Sequence, residues 1–506
     1  MKKLDFFIIL FFIMFFSIQL TIPQNYTFNA DEPTHALIGL FYKDLIVNIG
    51  HFHSFNDVKN FAVNYIIKYP KISAYFPPLY HLLLATLFLI KESLFLVRIL
   101  NIILTILTAI IIYKLSFELN PKKNIAILSA IFFLSFSLVF YYTDKIMVDV
   151  LQILTFSSVL LFYLKLRDGK KISLINIVIL SFLLVFAFLT KYFSIFLPII
   201  ILVDAFFHNK KLVPYFLLAI ILSIIILSPY LFFYIKFKLY RLLINISQTP
   251  QIVQVLNKQT KLSYFDIFYI FGIFIGPLVA ISTIWFIWKN FKNPLIISWF
   301  FIPLFVFLFL FKQIEHRFLF ILMPIYSLAC STFVFKNIEK IQSKKGTKLL
   351  FAFILILLFL QFASNIYIKS KDVYYPINDV MKSMDKDGNI LMTSEGEVYS
   401  SIYILYGRLN NIKGNFIRPC VLDKNNMTKD FLNEWGIRYI IDENNTIDEN
   451  LKNSLNLNLF REIKANNISI RIFETKNVGK TFDCNFICAL QKEICKGYSF
   501  SDIFVN

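Results

Sequence analysis

Glycine is scarce in this chain of 506 residues, with only 13, and cysteine (5) and histidine (6) are fewer still. Charged side chains make up 16% of the sequence, against about 25% in soluble domains. Such a shortage of charge excludes a soluble enzyme and a disordered chain. The lack of a glycine period excludes a collagen-like fibre, and the lack of glycine-rich alternating segments argues against a membrane β-barrel. There is no internal repeat, no Walker A loop and no G-x-G-x-x-G fingerprint.

What remains is strongly apolar: 57% of residues are hydrophobic, phenylalanine alone contributes 60, and the mean hydropathy is +0.65. Runs of about 17–25 apolar residues mark membrane-spanning helices. They are read at about 5–22, 95–113, 125–142, 147–164, 173–189, 193–207, 213–235, 265–288, 294–311, 318–335 and 349–367. The first follows Met1-Lys2-Lys3 and is read as an uncleaved anchor rather than a signal peptide.

The stretch Phe76–Ile90 stays out of that series. It opens with Pro77-Pro78, closes at Lys91-Glu92, and is short for a span but long enough for an interfacial or re-entrant helix. With it not crossing, the basic clusters Lys2/Lys3, Lys114/Lys122/Lys123, Lys165/Arg167/Lys170/Lys171, Lys210/Lys211, Lys289/Lys292 and Lys336–Lys348 all fall on one side. The positive-inside rule makes that side cytoplasmic. The expectation is a polytopic α-helical membrane protein of about eleven spans, N-terminus inside and C-terminus outside. The net charge of +19 is then largely topological, and no water-soluble stretch carries a basic stripe interleaved with aromatics for nucleic acid. The abundance of Ile, Phe, Lys and Asn points to the plasma membrane of a prokaryote or archaeon.

Residues 1–369 are read as the membrane domain, with a first external loop over 23–94, and residues 370–506 as an external α/β domain. In the latter, β-like runs (Asn389–Thr393, Arg438–Ile441, Ile468–Phe473) alternate with helix-like runs (Val398–Tyr406, Lys429–Trp435). It holds Cys420, Cys484, Cys488 and Cys495, whose spacing is poor for zinc and better suited to disulfides in an external compartment. Cys330 falls within a span. The sequons at Asn25, Asn245, Asn426, Asn444 and Asn467 all fall on the expected outside.

The informative residues are charges at the outer ends of spans. Asp31-Glu32 follows the first span, with His35 one helical turn on; Arg98 lies near the outer end of the second span. Asp144, Lys145 and Asp149 sit between the third and fourth, Lys191 interrupts an apolar run, and Glu315-His316-Arg317 precedes the tenth. Taken singly, a charge at a span end is often only an interfacial anchor, Arg98 can snorkel, and a lone histidine more often packs than ligates metal. Taken together, carboxylates and cations gather on one side at a depth where ionisable groups are costly. The outside loop Lys236–Lys261, with Lys236, Lys238, Arg241, Lys258 and Lys261, runs against the positive-inside trend and reads either as a solvated loop or as a basic lid over an anionic lipid. A carboxylate pair can act as general base or ligate a divalent metal. Nearby fixed cations can bind a phosphate and stabilise it as a leaving group.

These residues resemble the motifs of GT-C glycosyltransferases. Asp31-Glu32 resembles the acidic pair of their first external loop. YFPPLYHLLLA (Tyr75–Ala85) resembles the Pro-Pro-Leu juxtamembrane segment of protein O-mannosyltransferases and lipid A aminoarabinose transferases, with Phe76 where the relatives often carry Lys or His and with Lys71 or His81 as substitutes. Asp149 in MVDVLQIL resembles the acidic residue of the second external loop, LTKY (Leu189–Tyr192) the Thr-Lys element, and EHRF (Glu315–Phe318), followed by Pro324, the late Arg-aromatic element. The resemblance runs in order over about residues 1–335. It implies an inverting transferase using a polyprenyl-phosphate (dolichyl or undecaprenyl) monosaccharide. Asp31, Glu32 and Asp149 would be catalytic; Lys191, Arg317, Arg98, Lys236 and Lys238 would hold the lipid phosphate; His35, His81, Glu315 and His316 would position the acceptor, which is a glycan, a lipid or a protein. No cofactor is required, and a divalent metal on Asp31 and Asp149 is compatible with the superfamily. The competing readings are a lipid-linked glycan transporter, expected to show paired repeats and polar breaks at the bilayer midplane, and a membrane-anchored assembly protein, for which so many spans are more than anchoring needs.

The charge argument makes a direct prediction. Single cysteines placed at Lys122 and Lys170 should both be labelled from the cytoplasmic side in intact membranes. Labelling of either from outside would overturn the assignment of Phe76–Ile90 as non-crossing.

Overall fold

The computed structural model describes residues 2–21, 31–69, 76–169, 172–236, 270–306, 316–341, 344–370, 377–384, 388–393, 397–413, 416–417, 428–434, 436–443, 447–465 and 468–475. Two compact units divide the chain. One comprises residues 1–23, 75–80 and 95–371, the other residues 24–74, 81–94 and 372–506. The first external segment, grouped with the membrane domain in the sequence reading, thus shares a unit with the C-terminal chain.

The first unit is helical. It contains α1 (Lys2–Thr21) and, after the segments α2 (Glu32–Val47), α3 (Phe55–Lys68) and α4 (Leu79–Ile90), the run α5 (Leu94–Leu119), α6 (Lys123–Ser135), α7 (Ser137–Tyr142), α8 (Asp149–Arg167), α9 (Leu174–Thr190), α10 (Phe196–His208) and α11 (Val213–Lys236). The helices Gly276–Lys289, Pro294–Phe305, Met323–Lys340 and Lys344–Ser370 complete it. The expected apolar runs are largely helical over their described parts, but the third breaks at Phe136, whose ψ is 131°, and the eighth is a turn over residues 272–275. Five helical segments among the described residues, such as Leu94–Leu119 and Gly346–Ser370, are long and apolar enough to cross a bilayer; the others are shorter apolar helices.

Helices of this composition gain little from hydrophobicity against lipid, so they associate through close packing and buried hydrogen bonds. Helix Met323–Lys340 packs against α6 and against Gly276–Lys289. The Ser129 and Ser331 hydroxyls meet at 2.6 Å, and Ser282 meets the Cys330 thiol at 3.1 Å. Trp299, fully buried, donates its indole N–H to the Ile321 carbonyl. Gly272, with φ near +100°, lets the chain turn where the Gln361 amide presses on it; any Cβ there would collide.

In the second unit, α3 begins at a capping box: Ser54 accepts from the Asp57 N–H, and the Asp57 carboxylate accepts from the Ser54 N–H at 2.8 Å. Helix α4 has only 12 residues, a rise of about 18 Å against a hydrocarbon core of about 30 Å. Helix α2 approaches it closely at Gly39, where a Cβ would lie 2.7 Å from the Leu84 Cβ. The C-terminal part forms a five-stranded mixed sheet in the order β2-β1-β3-β5-β4. The strands are β1 (Asn389–Met392), β2 (Phe416–Ile417), β3 (Ile437–Glu443), β4 (Asn458–Ala465) and β5 (Ile468–Glu474). Strand β1 runs parallel to β2 and β3, and β5 pairs antiparallel with β3 and β4. The helices Glu397–Leu409 and Lys429–Glu434 fall where the sequence places them; β4 was not anticipated, because NLFREIKA mixes charge into the run without clean alternation. The external cysteines and all five sequons lie outside the described residues.

Gly39→Ala should push α2 from α4, because the atom it meets is the root of a side chain and cannot rotate away. Overpacking of this kind costs about 1–3 kcal/mol, and thermal unfolding of the purified protein should show the loss. An unchanged midpoint would mean that the two helices can separate freely at this crossing.

Candidate active site

Asp149 opens α8, where a carboxylate is favoured by the N-terminal helix dipole. Helix α9 stops at Thr190, and its C-cap Lys191 is extended (φ −158°, ψ 134°) before the 3-10 turn Tyr192–Ile195. That break, visible in the sequence as a lysine inside an apolar run, brings the ammonium to the start of α8. Lys191 Nζ donates to Asp149 Oδ1 at 2.5 Å, with Asp149 completely buried. The ammonium lies 5.5 Å from the Phe193 ring centroid and 5.7 Å from that of Phe318, and the Arg317 guanidinium lies 6.0 Å from the same Phe318 ring. One aromatic ring therefore serves two cations, and the motifs around Asp149, Lys191 and Arg317 come together although far apart in sequence. The second Asp149 oxygen is buried without a hydrogen-bond partner among the described residues.

Asp144, Lys145 and Arg98 belong to the same unit and are buried, at 2%, 0% and 6% exposure. Readings of them as interfacial anchors or as a snorkelling arginine are therefore corrected: they face the protein interior. Lys369, at the end of the last long apolar helix, pairs with Asp144 at 2.7 Å, donates to Gln19 on α1 at 2.6 Å and lies 5.4 Å from the Phe140 ring centroid. The sequence reading missed it. Its signal was available, since this lysine closes the last long apolar run. Lys145 lies 4.9 Å from the Tyr141 ring centroid, and its carbonyl accepts from the Asn101 amide on α5. Asn101 also donates to the hydroxyl of Tyr80 at 3.0 Å, which ties the Pro-Pro-Leu-Tyr segment to the helix that carries Arg98.

The acidic pair lies in the second unit. Asp31 is the N-cap of α2, half-buried and making no side-chain cap bond, while Glu32 in the first turn is fully buried. One turn on, His35 Nδ1 meets His81 Nε2 of α4 at 2.9 Å, with the rings stacked 5.1 Å apart and both side chains buried. The two histidines singled out in sequence are thus one hydrogen-bonded pair joining the acidic-pair helix to the helix after Pro77-Pro78.

At the other end of α2 stands a polar node that the sequence did not reveal. Arg408, in the helix Glu397–Leu409, places Nη2 at 2.6 Å from Asp44 Oδ2 and Nη1 at 3.3 Å from Glu92 Oε2. Lys43 bridges Asp44 at 2.9 Å and Glu92 at 2.8 Å, and the Tyr65 hydroxyl donates to Asp44 at 2.8 Å. His316 and Arg317 are half-buried in a 3-10 turn, His316–Leu322. Glu315, Lys238 and Lys71 lie outside the described residues, as does the side chain of Lys236. Among the described residues, no group of three or more His, Cys, Asp or Glu side chains is placed to hold a metal ion.

A family model for dolichyl-phosphate-mannose-protein mannosyltransferases matches residues 76–233. No curated protein sequence matches significantly. ArnT from Cupriavidus metallidurans, solved with bound undecaprenyl phosphate, superposes with a TM-score of 0.59 at 11% identity, over 94% of this chain and 99% of that one. Its apo form gives 0.57 at 10% identity, over 92% and 98%. The archaeal oligosaccharyltransferase AglB from Archaeoglobus fulgidus, in complex with an inhibitory peptide and a dolichol-phosphate, gives 0.54 at 11% identity, over 86% of this chain and 69% of that one. The chain has the GT-C fold, mostly helical with a small C-terminal sheet, in an integral membrane protein. Family match and fold together support a glycosyltransferase of the GT-C superfamily.

The node around Arg408 has a pH signature. Burial pushes the Asp44 carboxyl up, but hydrogen bonds from Arg408, Lys43 and Tyr65 and the guanidinium charge outweigh it and hold the group below its ordinary value. A depressed carboxyl stabilises the fold fully above its unfolded pKa and loses that contribution as pH falls through the folded value. Thermal stability should therefore decline as pH drops below about 4, and Asp44→Asn should flatten part of that decline. An identical acid profile in the variant would remove Asp44 from the account.

Proposed function

We propose that this protein is an inverting glycosyltransferase that moves a monosaccharide from a polyprenyl phosphate to an acceptor on the outer face of the membrane. The observation that carries this reading is the Asp149–Lys191 pair beside Phe193, Phe318 and Arg317, in a chain whose fold resembles a transferase solved with undecaprenyl phosphate. In the reaction, the acceptor hydroxyl attacks the sugar C1 from the face opposite the phosphate. The C1–O bond to phosphate breaks as the new O–C1 bond forms, the configuration inverts, and the hydroxyl proton passes to a carboxylate.

Asp31 is the favoured base. It stands half-buried at the N-terminus of α2, next to the fully buried Glu32. Glu32 and the His35–His81 pair fix the turn that carries it. Lys191 and Arg317 hold the phosphate and take up charge as the polyprenyl phosphate leaves. Asp149 holds the Lys191 side chain in place beside the Phe193 and Phe318 rings. Arg98, Lys236 and Lys238 add positive charge for the lipid phosphate. No step here requires a metal ion.

Asp31→Asn is nearly isosteric and should lower transfer by about 10²–10⁴-fold while the protein stays folded in the membrane. Lys191→Met should instead weaken donor binding, read as loss of labelled polyprenyl phosphate retained by the purified protein. Assays in vesicles with defined lipid-linked sugars and varied acceptors separate the two effects. Near-native transfer by Asp31→Asn would assign the base elsewhere.

A further inference from the structure

We propose that Arg408 is a positioning residue, through which the C-terminal chain holds the acidic-pair helix α2 in its working orientation. This rests on the reading of Asp31-Glu32 as catalytic. Helix α2 spans 16 residues, so Asp31 and Asp44 stand about 20 Å apart along a nearly rigid rod. Between them, Gly39 sits against Leu84 and Phe88 with no room for a Cβ, a natural pivot. The acidic pair and the His35–His81 bond lie on one side of that pivot, and Lys43-Asp44 on the other.

The far arm is where the clamp acts. The guanidinium reaches Asp44 of α2 and Glu92, just beyond the end of α4, with both Nη atoms, and its Nε lies 3.3 Å from the Tyr65 hydroxyl of α3. Three segments of the first external region are thereby gathered on one side chain from a helix that packs directly against α2. Arginine suits this place because its planar fork engages two carboxylates in fixed directions, which a lysine point charge does not. Release of the clamp lets α2 tilt about Gly39. A tilt of about 5° moves the Asp31 end by nearly 1 Å, enough for a rate loss of about 10–100-fold. Arg408 touches no reacting atom in this scheme, so its loss should lower kcat and leave donor binding alone.

The test compares Arg408→Ala, Arg408→Lys and the control Lys452→Ala, which breaks only an exposed pair with Glu449. Two readouts are taken on the full-length protein in lipid: amide hydrogen exchange over residues 32–38, and transfer kinetics alongside binding of polyprenyl phosphate alone. The expected result for Arg408→Ala is at least a tenfold rise in exchange over 32–38, no change over α8 and α9, a kcat lower by about 10–100-fold and donor binding within threefold of wild type. Arg408→Lys should lie between the two, and Lys452→Ala should match wild type. Unchanged exchange over 32–38 in Arg408→Ala overturns the proposal whatever happens to the rate, and so does a parallel loss of kcat and donor binding. If Arg408→Ala fails to fold, Arg408→Lys decides: a rise confined to 32–38 supports the clamp, and no rise refutes it. Should the wild type transfer no sugar from any lipid phosphate, the glycosyl reading fails while the exchange result still judges the clamp.

Discussion

A charge inside an apolar helical assembly persists only if another charge meets it, and the Asp149–Lys191 pair is where this constraint shapes the molecule most. Its ammonium lies near two phenylalanine rings and against a buried carboxylate, where losing either partner would leave the other poorly solvated. To bring the pair together, α9 must end at Thr190 and α8 must begin at Asp149. The same demand recurs at Lys369 and Asp144, where the last long helix is tied to the turn between α7 and α8 and to α1. Buried ionic contacts of this kind contribute little net stability; what they supply is register between helices whose apolar faces would otherwise slide.

The two units solve the problem of orientation in different media. In the helical unit, serine hydroxyls, one tryptophan N–H and the buried ion pairs fix neighbours that hydrophobicity alone leaves interchangeable. In the second unit, the mixed sheet has its own small core around Leu391, Ile440 and Phe473, and the Arg408 node organises the polar side. The acidic-pair helix lies in this second unit although it follows the first apolar helix in sequence. The Asp31-Glu32 pair and the Asp149–Lys191 pair thus belong to separately built units.

Much of this was legible in the sequence, for physical reasons. Apolar runs declare helices because the bilayer sets their length, and a lysine such as Lys191 declares itself because nothing else in its run is charged. Asp149, Lys191 and Arg317 were read, with Asp31, as charges gathered at one end of the spans; of these, Asp149 and Lys191 form an ion pair. Arg408 was not, because in a mixed polar segment one arginine looks like any other, and its partners Asp44 and Glu92 lie more than 300 residues away. The His35–His81 contact was half legible: each histidine stood out, but pairing needs the crossing of α2 and α4 at Gly39, and a glycine carries no signal of what lies against it. Strand β4 was hidden by its charges, which an exposed, lightly covered strand tolerates.

The shortness of α4 also bears on how the protein is made. Membrane insertion retains runs of about 17–25 apolar residues as spans, and α4, with 12 residues that include His81, is shorter than that. Lys91 and Glu92 keep this short run from merging with α5 into one long apolar segment, and Glu92 also takes part in the folded molecule's ionic node.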